Sequence, residues 1–200
     1  MIPLQHRRAW IFDLDGTLTQ PVHNFLHIRQ ELGIDPADDI LATIAAQPEH
    51  KRQDMTERLD KLEHYYAAQA KPAPGVLILL EHLADLGCEM GILTRNTRAI
   101  AIESLAAIGA KDFFKDELVL GRDEAHPKPD AQGIALLLNH WQRQPEEAVM
   151  VGDFRYDLES GRAAGTYTVH VDDSDRHWPD LTDLRVPTLH ELAHHLKNVS

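Results

Sequence analysis

The sequence has few thiols and no long apolar stretch. Of its 200 residues only Cys88 is a cysteine, which excludes an internal disulfide framework and a zinc site made of several cysteines. A single thiol is typical of a reducing compartment, and we expect a cytoplasmic location. The longest apolar runs, such as Val76–Leu80, fall far short of the roughly 18 residues that a membrane-spanning helix needs. No secretory signal is evident before Trp10.

Basic residues are scarce relative to acidic ones. The chain has 20 Lys and Arg against 32 Asp and Glu, a formal net charge of −12. Such a chain is repelled by polyanions, so we expect neither nucleic acid nor a membrane surface as a partner. An anionic substrate would therefore need a locally positive site. The hydrophobic fraction of 43% and charged fraction of 26% are those of an ordinary globular protein.

Short apolar segments alternate with helical ones over most of the chain. Strands are predicted at Ala9–Phe12, Glu89–Leu93, Leu118–Leu120, Ala148–Val151 and Thr166–Val171. The segments between them have the length and apolar spacing of helices, as does the last segment, Leu189–Lys197. This order predicts an α/β fold in which a Rossmann-like parallel sheet carries helices on both faces.

The part of the chain from about Pro21 to Ala70 has a different pattern. Its apolar residues recur at three- and four-residue steps among many charges, without the alternation of a strand. This pattern predicts two to four helices that form a small all-helical cap. We assign residues 1–18 and 73–200 to the core and residues 19–72 to the cap.

Polar side chains stand where the predicted strands end. They are Asp13 and Asp15, Thr94, Lys128, Asp153 and Asp157. A parallel sheet brings the carboxyl ends of its strands to one edge, where ligands bind. Two carboxylates about 5 Å apart repel each other by roughly 3 kcal/mol at an effective dielectric near 20, so this edge requires a cation. Oxygen ligands with room for a phosphate suit Mg²⁺.

Four segments carry this chemistry: Asp13-Leu14-Asp15-Gly16-Thr17-Leu18, Ile92-Leu93-Thr94, Lys128-Pro129 and Gly152-Asp153-Phe154-Arg155-Tyr156-Asp157. In this order they resemble the four motifs of the haloacid dehalogenase-like (HAD) hydrolase superfamily. The helical segment between the first two resembles the small cap of the phosphoglycolate-phosphatase-like subfamily. The resemblance implies a phosphoric monoester hydrolase with Mg²⁺ as its cofactor.

The resemblance also implies a role for each residue. Asp13 is expected to attack phosphorus and Asp15 to act as acid and base, which needs a raised pKa, and Thr94 and Lys128 complete the catalytic set. Phosphate binding is expected from Asp13, Gly16, Thr94, Arg95, Asn96 and Lys128. The expected metal ligands are Asp13, Asp15 through its backbone carbonyl, Asp153 and Asp157. Purely structural roles remain open for two of these residues. Thr94 is then a helix cap, and Asp157 is a negative charge that favours a helix N-terminus.

The carboxylate of Asp15 separates the reactions found in the superfamily. Dehalogenases and phosphonate-cleaving members lack one at this position, so phosphate-ester hydrolysis is expected, with a sugar phosphomutase as the alternative. The substrate is expected to be a small phosphorylated metabolite, similar to phosphoglycolate or a sugar phosphate, and the protein a monomer or homodimer. Candidate substrate contacts from the cap are His23, Asn24, His27, Arg29, His50, Lys51 and Arg52, although a solvated helix face is the better explanation for each one.

Two alternatives come from other functional classes. The string His190-Glu191-Leu192-Ala193-His194 matches the zinc-protease pattern, in which two histidines four residues apart bind zinc and Glu191 acts as base. The apolar residues of the same segment are also spaced as the packing face of a terminal helix. The second alternative is a non-catalytic protein that only binds a phosphorylated ligand.

Overall fold

The structure is a computed structural model and describes residues 2–21 and 24–198. Within these ranges six strands form one parallel sheet in the order β3-β2-β1-β4-β5-β6. The strands are β1 Ala9–Phe12, β2 Glu89–Leu93, β3 Val119–Leu120, β4 Ala148–Gly152, β5 Tyr167–Val171 and β6 Leu184–Val186. The predicted α/β fold with a parallel sheet is confirmed. The sequence analysis missed β6 and began β3 one residue early.

Eight helices lie within the described residues. They are α1 Phe25–Leu32, α2 Ile40–Ala45, α3 Glu49–Ala67, α4 Val76–Asp85, α5 Arg98–Ala107, α6 Gln132–Trp141, α7 Arg155–Ala164 and α8 Leu189–Asn198. Side chains alternate across the sheet, because successive residues of a strand point to opposite faces. Trp10 and Phe12 pack in one cluster with residues of α4, α5 and α8. Ala9 and Ile11 pack in the other with residues of α6.

Helices α1 to α3 have a small core of their own. Its centre contains Ile28, Leu32, Ile44, Met55 and Leu59. The segments that enter and leave this unit run side by side: Gln20 donates to the carbonyl of Lys71 at 2.8 Å, and Ala73 to that of Leu18 at 2.9 Å. These contacts agree with a cap spanning residues 19–72, a division that stays a prediction.

Candidate active site

Asp13 lies directly after β1 and is nearly buried. Its backbone nitrogen continues the sheet by donating to the carbonyl of Val151 at 2.9 Å. The hydroxyl of Thr17 lies 3.1 Å from Oδ2 of Asp13 and 3.2 Å from Oδ1 of Asp153. The intervening turn needs a glycine, because Gly16 has φ of +94° and a Cβ there would lie 2.9 Å from Oδ2 of Asp153. The expected role of Gly16 in phosphate binding stays a prediction.

Lys128 stands between two carboxylates. Its Nζ lies 2.5 Å from Oδ1 of Asp13 and 2.7 Å from Oδ1 of Asp157, and only 2% of its side chain is exposed. Burial alone would lower the pKa of Lys128, but the two carboxylates raise it above its ordinary value. The side chain is therefore a fixed positive charge at the centre of the site.

Asp157 has two contacts at once. Its Oδ2 accepts from the backbone nitrogen of Phe154 at 3.0 Å, so it caps the first turn of α7, while its Oδ1 faces Lys128. The capping role left open by the sequence therefore coexists with a place in the site. Gly152 permits this position, since a Cβ there would lie 2.2 Å from the Cβ of Asp157.

Three carboxylates converge in a way that fits a metal ion. Asp13, Asp153 and Asp157 each offer an oxygen, and these oxygens lie within 4.8 Å of one another; no other such group occurs in residues 2–21 and 24–198. Burial, and then neighbouring carboxylates, raise the pKa of Asp153 to about 8. Burial likewise raises the pKa of Asp157 to about 6, although Lys128 opposes the shift. Even with Lys128, the carboxylates of the pocket outnumber its positive charges. Because all the ligand atoms that they offer are oxygens, the pocket suits Mg²⁺.

Asp15 is half-buried and lines the cavity between the core and the cap. Burial, followed by the charge of Asp13, raises its pKa to about 7. The sequence analysis expected such a shift; the structure shows burial as the larger cause. Asn96 opposes the shift, because its Nδ2 donates to Oδ2 of Asp15 at 2.6 Å.

Thr94 is buried at the end of β2 and does not cap the following helix. Its hydroxyl accepts from the backbone nitrogen of Asn96 at 3.1 Å. Helix α5 begins at Arg98 and is capped by Thr97, whose hydroxyl accepts from Ile100. The helix-cap interpretation of Thr94 was therefore wrong.

Two arginines of the core hold the cap, and the sequence analysis did not identify these pairs. Nη2 of Arg95 lies 2.7 Å from Oδ2 of Asp39. Arg122 lies 2.6 Å from Oδ1 of Asp60 and 2.9 Å from Oε2 of Glu63. The sequence shows only that residues of opposite charge lie far apart along the chain, and this does not identify which of them pair.

The cavity between core and cap has a volume of about 520 Å³ and contains the carboxylates of Asp13 and Asp15. Of the cap candidates, Arg29 lines it, whereas Asn24 caps α1 and Nδ1 of His27 lies 3.0 Å from the hydroxyl of Tyr66. Arg52 pairs with Glu49. The expectation that these residues contact substrate is thus weakened for all but Arg29. The two other exposed candidates, His50 and Lys51, do not line the cavity, and His23 lies outside the described residues.

The zinc-protease string does not form a metal site. In α8 the residues Leu189, Leu192, Ala193 and Leu196 are buried in the core. His190, Glu191 and His194 lie on the exposed side, and no third ligand joins them in the part of the chain that is described. The packing-face interpretation therefore explains this segment.

A family model described as haloacid dehalogenase-like hydrolase matches residues 10–171. This chain belongs to that family. The HAD model runs from β1 to the end of β5, so it includes every candidate catalytic residue. Within the described residues no helix of this HAD protein is both long and apolar enough to cross a membrane.

Two relatives named as phosphatases are similar to this HAD chain over most of their length. A pyrophosphatase, PpaX of Anoxybacillus flavithermus, is 31% identical over 80% of this chain and 81% of the relative. An N-acetylmuramic acid 6-phosphate phosphatase of Pseudomonas aeruginosa is 27% identical over 86% of this chain and 87% of the relative. CbbY of Rhodobacter sphaeroides, solved with phosphate, has the same fold with a TM-score of 0.74, at 18% identity over 93% and 96% of the two chains.

Proposed function

We propose that this protein is a Mg²⁺-dependent phosphatase that hydrolyses a small phosphorylated metabolite through an aspartyl-phosphate on Asp13. The observation that carries the proposal is the position of Asp13: its carboxylate lies in the cavity, 2.5 Å from Nζ of Lys128 and in contact with Thr17. A carboxylate held in this way is oriented and charged without a separate base. The relatives named as phosphatase and pyrophosphatase support the same class of reaction.

In the first step the carboxylate of Asp13 forms a bond to phosphorus, and the bond from phosphorus to the ester oxygen breaks. Asp15 gives its proton to that oxygen, and a pKa of about 7 leaves the carboxyl partly protonated at neutral pH. Lys128 and the hydroxyl of Thr94 are proposed to stabilise the charge on the phosphoryl oxygens. Asn96 orients Asp15 through its 2.6 Å hydrogen bond.

In the second step a water attacks phosphorus and Asp15 accepts its proton. The bond between phosphorus and Asp13 then breaks, which releases phosphate and restores both carboxyl groups. Mg²⁺, held by Asp13, Asp153, Asp157 and the carbonyl of Asp15, would supply positive charge against the phosphoryl oxygens when bound. Phosphoglycolate and sugar phosphates belong to the expected substrates. A cytoplasmic monomer or homodimer is part of the same proposal.

The proposal is tested by phosphate release from p-nitrophenyl phosphate with Mg²⁺ and with EDTA. We expect activity only with Mg²⁺ and a loss of about 10³-fold or more in Asp13→Asn, since the nucleophile is removed. The control is Asp173→Asn, which changes an exposed carboxylate outside the cavity. Full activity in Asp13→Asn would overturn the mechanism. Conversion of one sugar phosphate to another with little phosphate release would identify the phosphomutase instead.

A further inference from the structure

The half of the cavity that faces the leaving group is mainly apolar on its cap side. All three cap helices contribute an aliphatic or aromatic side chain to the lining: Phe25, Ile28, Ile40, Leu41 and Leu59. A sugar or a short hydroxy acid would need hydrogen-bond partners at these positions, and apolar side chains offer none. Burying the hydroxyl groups of such a molecule here would be unfavourable.

Several charged side chains around this half have partners within the protein. Arg95 is paired with Asp39, and Glu63 with Arg122. Arg29 donates to the backbone carbonyls of Asp38 at 2.9 Å and Phe25 at 3.2 Å. An uncharged leaving group leaves these contacts intact, whereas an anion that takes the place of an acceptor breaks one of them.

Aromatic rings line the mouth of the cavity from both sides. Phe25 of the cap is 52% exposed and Phe154 of the core is 41% exposed, although both line the cavity. Phe154 meets Tyr156 edge to face at 5.3 Å, and the guanidinium of Arg95 lies 4.9 Å from the centre of the Tyr156 ring. Exposed aromatic surface at a cavity mouth is suited to contact with a flat ligand.

From these three observations we propose that the substrate is a phosphate monoester whose leaving alcohol carries an uncharged, flat ring. The phosphoryl group lies at Asp13, and the ring lies between the apolar cap wall and the aromatic side chains at the mouth. This inference rests on the proposed phosphatase activity and narrows its substrate. It disfavours pyrophosphate and phosphoglycolate, whose leaving groups are anionic.

The test compares four esters whose leaving alcohols differ in shape and charge: benzyl, cyclohexylmethyl, propyl and 4-carboxybenzyl phosphate. We expect the highest kcat/KM for benzyl phosphate, about tenfold above propyl phosphate, which corresponds to about 1.4 kcal/mol. The cyclohexylmethyl group is apolar but not flat, so the kcat/KM of its ester should lie between those of benzyl and propyl phosphate. The 4-carboxybenzyl ester and phosphoglycolate should be at least about tenfold poorer than benzyl phosphate.

A pair of adjacent residues provides matched variants. Phe25→Ala should lower the ratio of kcat/KM for benzyl to propyl phosphate about tenfold. Leu26→Ala should leave that ratio as in the wild type, because Leu26 is equally exposed, at 52%, but does not line the cavity. Phe154→Ala makes the same test with a residue of the core, and it serves if Phe25→Ala fails to fold.

The outcomes separate this inference from the proposed function. Mg²⁺-dependent release from every ester, with 4-carboxybenzyl phosphate or phosphoglycolate equal to or better than benzyl phosphate, would overturn the inference and leave the phosphatase in place. An unchanged benzyl-to-propyl ratio in both Phe25→Ala and Phe154→Ala would also overturn it. No release from any ester would overturn the proposed function itself.

Discussion

Asn96, which follows β2, donates a hydrogen bond to Asp15, which follows β1. Nδ2 of Asn96 lies 2.6 Å from Oδ2 of Asp15. The two residues are 81 positions apart in the sequence. Asn96 was expected to bind phosphate, but its amide group is directed at the side chain proposed as acid and base. It is therefore proposed to act as a positioning residue, which fixes the orientation of the Asp15 carboxyl group.

Asn96→Ala should lower kcat about tenfold or more, because the carboxyl group of Asp15 loses the contact that orients it. KM should change less, since the phosphate contacts proposed for Thr94 and Lys128 remain. The matched control is Thr97→Ala, which removes the cap of the same helix without a contact to Asp15. Steady-state kinetics on one ester measure kcat and KM for both variants. Equal losses in the two variants would mean that Asn96 acts only through the stability of α5.

Mg²⁺ should stabilise the wild-type protein against heat. With the metal about tenfold above its Kd, the free energy of unfolding rises by about 1.4 kcal/mol, and Tm by about 3 °C for a domain of this size. Asp153→Asn should lose most of this shift, since one of the three converging carboxylates is removed. Asp173→Asn should keep it. A scan of Tm against Mg²⁺ concentration checks both, and a full shift in Asp153→Asn would contradict the assigned site.

Glu63 should make stability fall as the pH rises. Burial raises its pKa from 4.5 to about 7, although Arg122 opposes the shift. The folded state therefore keeps a proton that the unfolded state has already lost, and the associated stability, complete below about pH 4.5, is lost as the pH rises through about 7. Between about pH 5 and pH 8 the wild type should lose about 1 to 3 kcal/mol more than Glu63→Gln.

Urea unfolding of the metal-free protein across this pH range measures the effect. Glu57→Gln is the matched control, because it makes the same change on an exposed position of α3. The free energy of unfolding of Glu57→Gln should change with pH as that of the wild type does. Parallel pH curves for the wild type and Glu63→Gln would refute the prediction.

Replacing the histidines of the zinc-protease string should leave the phosphatase activity unchanged. His190→Ala and His194→Ala change the exposed side of α8, whereas the core-facing residues stay in place. Phosphate release and metal content of the purified variants test this. Stoichiometric zinc that disappears in His194→Ala, together with peptidase activity in the wild type, would favour the protease instead.

The sequence predicts the central part of this fold well because the signals there are local. Ala9–Phe12 and Ala148–Gly152 are short apolar runs, each followed directly by an aspartate, and α7 ends at a glycine, Gly165, with φ of +81°. Strand β6 escaped prediction because it has three residues and an exposed arginine, Arg185, at its centre. Its pairing with β5, visible only in three dimensions, makes it a strand.

The contacts between core and cap could not be predicted for a related reason. Arg95 and Asp39 are 56 residues apart, and Arg122 and Glu63 are 59 apart. A chain with 32 acidic residues offers each arginine many partners. Which pair forms depends on how the cap helices pack against the core, a property of the assembled molecule that the spacing of charges does not encode.

The position of β1 in the sheet has a consequence for how the protein is made. This strand is synthesised before both of its neighbours, since Phe12 pairs with Ile92 of β2 and with Val151 of β4. One edge of β1 therefore stays without its partner until β2 has been synthesised, and the other edge until β4 has been synthesised. The proposed nucleophile, Asp13, is thus synthesised before the segments after β2 and β4 that complete its proposed site.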